Sequence, residues 1–386
     1  MKFVFASDSF KGTLSSAETG ELLCEAAREA FPDCECRCVV MADGGEGSTA
    51  AILSAAGGKL VSVRAHDPLG GITDAFYGVT DDGRAVVETA AASGLALIPA
   101  ECRDVRSSSS FGTGELLARA LDDGHTDVTL ALGGSATNDG GTGAMAALGA
   151  RFLDADGGVL EPNAANLIRI ASIDLSRMHP KLPLARITAM CDVDNPLTGP
   201  SGATMTFGPQ KGADTPALLA ELEAGMQNYA RVLRCTFPEK NAEFPGAGAA
   251  GGLGAACALF LGAALRPGAE AVLELTQFDK MLRDTDLAIT GEGRADAQSV
   301  RGKAVSAVAA HCKRAGVPLV ALVGSAGPGA EALLGCGVTA LVEVSPEGCP
   351  PPDEARAHYF AAARRLFAAL ASREFFPDDR TRAITP

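Results

Sequence analysis

With 386 residues, 47% of them hydrophobic, the chain is long enough for two domains with substantial cores, and its 45 glycines, 5% aromatics and absent tryptophan suit an α/β architecture of short turns. A formal charge of -14 with no basic stripe excludes the Lys- and Arg-driven binding of nucleic acid and of anionic membrane surfaces. Eleven cysteines, an odd number without zinc-ligand spacing or a disulfide framework, predict reduced thiols in a cytoplasm.

The apolar lead "KFVFA" predicts a first strand, and it is too short for a signal-peptide core, so no export is expected. A helix is predicted from Ser15 to Phe31, then a strand over "CRCVVM" and a helix from Gly47 to Ala56. Cys34, Cys36 and Cys38 alternate, which places three thiols on one strand face and reads as packing. Residues 59–90 contain three alternating runs separated by "DPLGG" and "DDGR", the signature of antiparallel hairpins. Next come a helix near Gly114 to Asp122, the strand "DVTLAL", a helix from Gly143 and the strand "RITAMC".

Phe244 to Leu265 has no charged residue and the length of a bilayer-crossing helix, but its first half, "PGAGAAGGLG", is Gly and Ala with poor helix propensity. A glycine loop feeding a helix from Leu253 to Leu265 is the expectation. The strands "DLAIT", "VPLVALVG" and "ALVEV" follow, with helices between them, and a frayed tail is expected after Glu374. Strands alternate with helices at both ends of the chain, as in parallel βαβ units. The predicted fold is therefore two α/β domains. The first, Rossmann-like with a parallel sheet, comprises residues 1–62 plus 285–386; the second, inserted and mixed, comprises 63–284.

In open α/β sheets ligands gather at the carboxyl ends of strands, so the loops there carry the candidate chemistry. They are Asp8, Ser9 and Lys11 after the first strand, and "ADGGEG" with Asp43, Gly44, Gly45 and Glu46 after the second. "GGSATNDGGTG" contains Gly133, Gly134, Ser135, Thr137, Asn138 and Asp139, and its glycines allow backbone N–H groups to approach a phosphate ahead of a helix N-terminus. It is neither a Walker A loop nor a G-x-G-x-x-G fingerprint, and the latter absence disfavours a nicotinamide-dependent dehydrogenase. "CDVDNPLTGP" sets Asp192, Asp194 and Asn195 at a strand end, with Asp192 and Asp194 pointing the same way, which suits a Mg²⁺ site or a general base, or a plain Asx turn. "GEGRADAQSVRGKA" offers Gly291, Glu292, Arg294, Asp296 and Lys303. In "RSSSSFGTGELL", Thr113 reads as a helix cap, and the five histidines lack ligand spacing. Glycine loops, paired aspartates and a lysine are the parts that phosphoryl transfer needs.

"SDSFKGTLS", "ADGGEGS", "GGSATNDGGTG", "CDVDNPLTGP", "FGPQKGA", "PGAGAAGGLG" and "TGEGRADAQS" occur in the same order in the bacterial type I glycerate kinase family, which the chain resembles over nearly its whole length. It departs from the family's usual forms at Ser7 and Val305, where proline is frequent, and at Ser299, where threonine is. The resemblance implies two α/β domains that enclose a cleft, and ATP- and Mg²⁺-dependent phosphorylation of D-glycerate, usually at the 2-hydroxyl; a cytoplasmic monomer or homodimer is expected. On that basis Lys11 is expected to neutralise the γ-phosphoryl or the substrate carboxylate. One of Asp192 and Asp194 would accept the hydroxyl proton, while its neighbour and Asp8 hold the metal. The other strand-end residues would contact nucleotide and substrate.

Overall fold

A computed structural model describes residues 1–10, 12–42, 44–297, 299, 304–345 and 351–372, so the expectations for Lys11, Asp43, Lys303 and the tail after Glu374 lie outside the described residues. The strands in chain order are β1 (Lys2–Ser7), β2 (Glu35–Cys38), β3 (Gly58–His66), β4 (Ile72–Thr80), β5 (Ala85–Glu88), β6 (Asp127–Ala131) and β7 (Arg151–Leu153). They continue with β8 (Ser172–Asp174), β9 (Arg186–Met190), β10 (Ala264–Arg266), β11 (Leu287–Ala295), β12 (Leu319–Ala326) and β13 (Ala340–Glu343). The chain divides into two units, one of Met1–Ala42, Ser54–Ala56 and Ala269–Pro386, the other of Asp43–Leu53 and Gly57–Gly268.

The first unit holds a parallel sheet in the order β13-β12-β11-β1-β2. Parallel strands covered on both faces are apolar throughout, and Phe3 to Ala6 are accordingly at most 1% exposed. The helix Ser16–Ala30 starts at a capping box in which the Ser15 hydroxyl accepts from Glu18 N and the Glu18 carboxylate accepts from Ser15 N. Its Leu22, Leu23, Ala26 and Ala27 pack with Phe3, Phe5 and the Phe367 of the helix Ala355–Ala371. Counted within the unit the strand order is 2-1-3-4-5, and the order reverses between β1 and β11. In doubly wound sheets that reversal opens the crevice where ligands sit.

The second unit's sheet runs β10-β9-β6-β5-β4-β3, with β3, β4 and β5 antiparallel, as the turn signals predict, and β5, β6, β9 and β10 parallel. Gly83 takes φ +87° in the β4–β5 turn, where Gly83 N donates to the Thr80 carbonyl. The antiparallel pair β7 and β8 lies apart from this sheet, and the core centres on Tyr77, Leu116, Leu117, Phe152 and Tyr229. Relative to the division drawn at residues 62 and 285, the second unit begins earlier and ends earlier. The whole of β3 stays with its partner β4, from Gly58↔Thr80 to His66↔Ile72, and so cannot be split between units.

Three local expectations change. The helix expected over 253–265 ends at Phe260, because Ala264–Arg266 leaves the helix to pair with β9. Upstream, Ala250, Gly251 and Gly252 take positive φ, as a glycine loop requires. Strand β11 continues through Gly291 and Glu292, which the sequence placed in a loop; Gly291 pairs Ser7 on one side and Leu322 on the other. Thr113 does not cap its helix: it is the third residue of Phe111–Asp122, and its hydroxyl donates to Ser93 Oγ at 2.8 Å. Among the described residues no helix is long and apolar enough to cross a membrane.

Candidate active site

In the first unit the polar turn after β1 is held by the strand ends themselves. Asp8 N donates to the Gly291 carbonyl at 2.8 Å, Thr290 Oγ1 to the Ala6 carbonyl at 2.7 Å and Ser16 Oγ to the Ser7 carbonyl at 2.6 Å. Phe10 and Leu14, both buried, close the following loop through reciprocal backbone bonds, and Phe10 meets Tyr359 edge-on at 5.1 Å. Asp8 and Ser9 are half-buried, and the Asp8 carboxylate accepts from Ser9 N at 2.7 Å. At the end of β11, Glu292 is buried and Asp296 half-buried, with Asp296 N bonded to Ser299 Oγ at 3.0 Å. Asp8, Ser9, Gly291, Glu292 and Asp296 are therefore assembled at the switch between β1 and β11.

In the second unit the carboxyl ends of β5, β6, β9 and β10 share one sheet edge. Gly44 and Gly45 pack backbone to backbone against Gly133, whose N–H donates to the Gly44 carbonyl at 2.8 Å. A Cβ on Gly133 would lie 2.7 Å from both Gly44 O and Gly45 Cα, so glycine is required there by close approach. Glu88, buried at the end of β5, accepts from the N–H groups of Gly47 and Thr49 and so caps the helix Ser48–Ala56 from another strand.

The loop after β6 folds its polar side chains inward. Asp139 is wholly buried and accepts from Ser110 N and Ser110 Oγ, both at 2.8 Å, from Gly141 N at 3.0 Å and from Gly143 N at 3.1 Å. Burial raises its carboxyl above the ordinary value, while the Ser110, Gly143 and Gly141 donors pull it down. Asn138 Nδ2 donates to Thr204 Oγ1 at 3.0 Å, while Asn138 Oδ1 and Thr137 Oγ1 are buried without a hydrogen-bond partner among the described residues. Lys211, 3% exposed, sends its ammonium to Ser135 Oγ at 2.9 Å and to the Thr137 carbonyl at 2.7 Å. Burial brings this lysine down to about 7, against the opposing pull of the Asp139 charge.

The loop after β9 does the opposite. Asp192 and Asp194 are exposed, and the Asp192 carboxylate accepts from Gly268 N at 2.8 Å, beyond the end of the neighbouring β10. Asn195 donates to the Ser201 carbonyl at 2.7 Å, and its own carbonyl accepts from Gly248 N at 3.0 Å, which pins the turn beneath the two carboxylates. Two hard oxygen donors in solvent fit a Mg²⁺ that arrives with nucleotide phosphates, since that ion takes one or two carboxylates and keeps its remaining positions for phosphate and water. No three His, Cys, Asp or Glu side chains among the described residues form a closed cage.

The structure thus brings Gly44, Gly45, Gly133 to Asp139 and Asp192 to Asn195 to one edge of the second unit's sheet. Sequence reasoning gave no role to Lys211 or Glu88. Lys211 stands in the quoted motif "FGPQKGA", but a lysine's burial has no periodicity to betray it.

A family model described as "Glycerate kinase family" matches residues 3–371. A glycerate kinase of Bacillus subtilis is 41% identical over 372 residues, 96% of this chain and 97% of that protein. A glycerate 2-kinase of Escherichia coli is 43% identical over 326 residues, 84% of this chain and 85% of that protein. A crystal structure of putative glycerate kinase 2 from Salmonella typhimurium aligns with TM-score 0.84 at 38% identity, covering 97% of this chain and all of that one.

Proposed function

The chain belongs to the glycerate kinase family, and from this premise we propose that it transfers the γ-phosphoryl group of ATP to the 2-hydroxyl of D-glycerate, giving 2-phosphoglycerate and ADP. The observation that carries the reading is the match of the family model over residues 3–371, with the strand-end loops inside it.

The geometry of the second unit supports a division of labour. Asp194, exposed and set on a pinned turn, accepts the proton of the attacking hydroxyl. Asp192, whose carboxylate is already oriented by Gly268 N, offers a metal-binding oxygen, as does Asp8 in the first unit. Mg²⁺, when bound, neutralises phosphate charge. Lys11 supplies a compact positive charge to the transferring phosphoryl or to the glycerate carboxylate. The backbone of Gly44, Gly45 and Gly133 to Asn138 is suited to phosphate contact, with Asp43, Asn195, Ser9, Gly291, Glu292, Asp296 and Asp139 completing the proposed set of substrate and nucleotide residues. As the hydroxyl oxygen bonds to the γ-phosphorus, the bond to the bridging oxygen breaks and ADP leaves.

Incubation with D-glycerate, ATP and Mg²⁺, followed by phosphorus NMR, tests reaction and regiochemistry together. The expected spectrum contains 2-phosphoglycerate and ADP in equal amounts. A 3-phosphoglycerate resonance would overturn the choice of hydroxyl, and ATP left intact would overturn the reading.

A further inference from the structure

Four half-buried cysteines that phosphoryl transfer does not use converge in the first unit: Cys24 on the helix Ser16–Ala30, and Cys34, Cys36 and Cys38 on and beside β2. Cys24 Sγ lies 3.2 Å from Cys38 Sγ, and Cys34 Sγ lies 3.5 Å from Cys36 Sγ. The two close pairs differ in kind. Cys34 and Cys36 are next-but-one neighbours along the chain where it enters β2, whereas Cys24 and Cys38 face each other from helix to strand. Helix and strand approach closely at this point, for a Cβ on Gly20 would sit 3.3 Å from Cys38 Sγ. Closing the 3.2 Å gap to a disulfide bond of about 2.05 Å needs roughly 1 Å of side-chain movement.

We propose that Cys24 and Cys38 are a two-electron redox pair that a hydroperoxide converts to a disulfide. The Cys38 thiolate attacks one peroxide oxygen, the O–O bond breaks, and an alcohol or water leaves with a proton. Cys24 sulfur then attacks the Cys38 sulfenic acid, the S–O bond breaks, and the hydroxyl leaves as water with the Cys24 proton. Two thiols are oxidised by two electrons and one peroxide is reduced by two.

Either sulfur can donate across the 3.2 Å contact, and the surroundings of the two thiols separate their roles. The contact with Cys24 lowers the Cys38 thiol below its ordinary value despite burial, which favours the thiolate at that sulfur. Cys24 is raised to about 12: its contact with Cys36 pulls it down, but the contact with Cys38 and burial outweigh this. Cys36 is raised too, first through Cys24 and then by burial. Cys38 is therefore the attacking sulfur and Cys24 the resolving one.

The test uses the full-length protein with hydrogen peroxide as the probe. The titre of denatured thiols should fall from eleven to nine, the mass by two hydrogens, and dithiothreitol should restore both. Trypsin cuts after Arg28 and Arg37, which places Cys24, the Cys34/Cys36 pair and Cys38 on three peptides, so the cross-linked pair can be read directly. The expected link is Cys24 to Cys38. Cys38→Ser should slow thiol loss at this cluster at least about tenfold, and Cys24→Ser should leave a dimedone-trappable sulfenic acid on Cys38. A link dominated by Cys36, or faster oxidation at the exposed Cys102 and Cys235 than at Cys38, would overturn the proposal. The peptide map of the unmutated protein decides the pairing even where a variant fails to fold.

Discussion

The loops after β6 and β9 leave neighbouring ends of one sheet and draw on the same residues, glycine, threonine, aspartate and asparagine, yet they face in opposite directions. After β6, Thr137, Asn138 and Asp139 are wholly buried, and Asp139 spends its acceptor capacity on Ser110, Gly141 and Gly143. After β9, Asp192 and Asp194 stand in solvent over a turn that Asn195 holds. Residue type does not distinguish a carboxylate that builds a site from one that acts in it. What distinguishes them is how many backbone donors the surrounding chain aims at each. On the proposed reading the buried loop's side chains are framework, and the exposed loop carries the reacting groups.

The largest expected effect separates the two aspartates. Asp194→Asn should lower turnover by roughly 10² to 10⁴, the range of a general base, while leaving the urea midpoint nearly unchanged because the side chain is exposed. Asp139→Ala should reverse the pattern. Removing a buried carboxylate orphans the Ser110, Gly141 and Gly143 donors and should cost about 3 kcal/mol or more of stability in urea denaturation. If both variants lost turnover without losing stability, the contrast between framework and reacting loop would collapse.

The family resemblance and the parallel strands were legible because they depend on local order. Phe3 to Ala6 reads as a doubly covered strand, and "DDGR" as a hairpin turn. The direction in which a loop's side chains point was not legible. Two of the hydrogen bonds to Asp139 come from Ser110, twenty-nine residues away, and those to Ser135 Oγ and the Thr137 carbonyl from Lys211, more than seventy away. Thr113 was read as a cap because it precedes an apolar run, but the helix starts two residues earlier and gives that threonine to Ser93. Gly291 read as a loop residue for the reason it fits in the strand: a Cβ there would lie 2.1 Å from the Leu322 carbonyl.

Lys211 sharpens the same comparison through pH. Its folded value, about 7, is below its ordinary 10.5, so the folded protein holds fewer protons than the unfolded chain between those values, and stability due to this group rises with pH across that window. Relative to Lys211→Met, the unmutated protein should gain up to about 1.4 kcal/mol per pH unit from about pH 7 to about 10, followed by urea denaturation. Parallel curves for the two proteins would mean that the lysine is not held dry beneath the loop.

The smallest effect asks whether the buried loop also meets the nucleotide. Gly134 takes φ +74°, its carbonyl accepts from Leu95 N at 2.8 Å, and a Cβ would stand 3.2 Å from Ala90 Cβ, so alanine crowds that methyl and strains the backbone. Gly134→Ala should therefore destabilise by about 1 to 2 kcal/mol, the strain of a left-handed L-residue. Because the strain falls on the backbone proposed to meet phosphate, KM for ATP should rise a few-fold while KM for glycerate holds. A stability loss with both constants unchanged would leave the loop its structural part alone. The nucleotide contacts would then have to come from residues outside it, and the inward-facing loop would be framework in full.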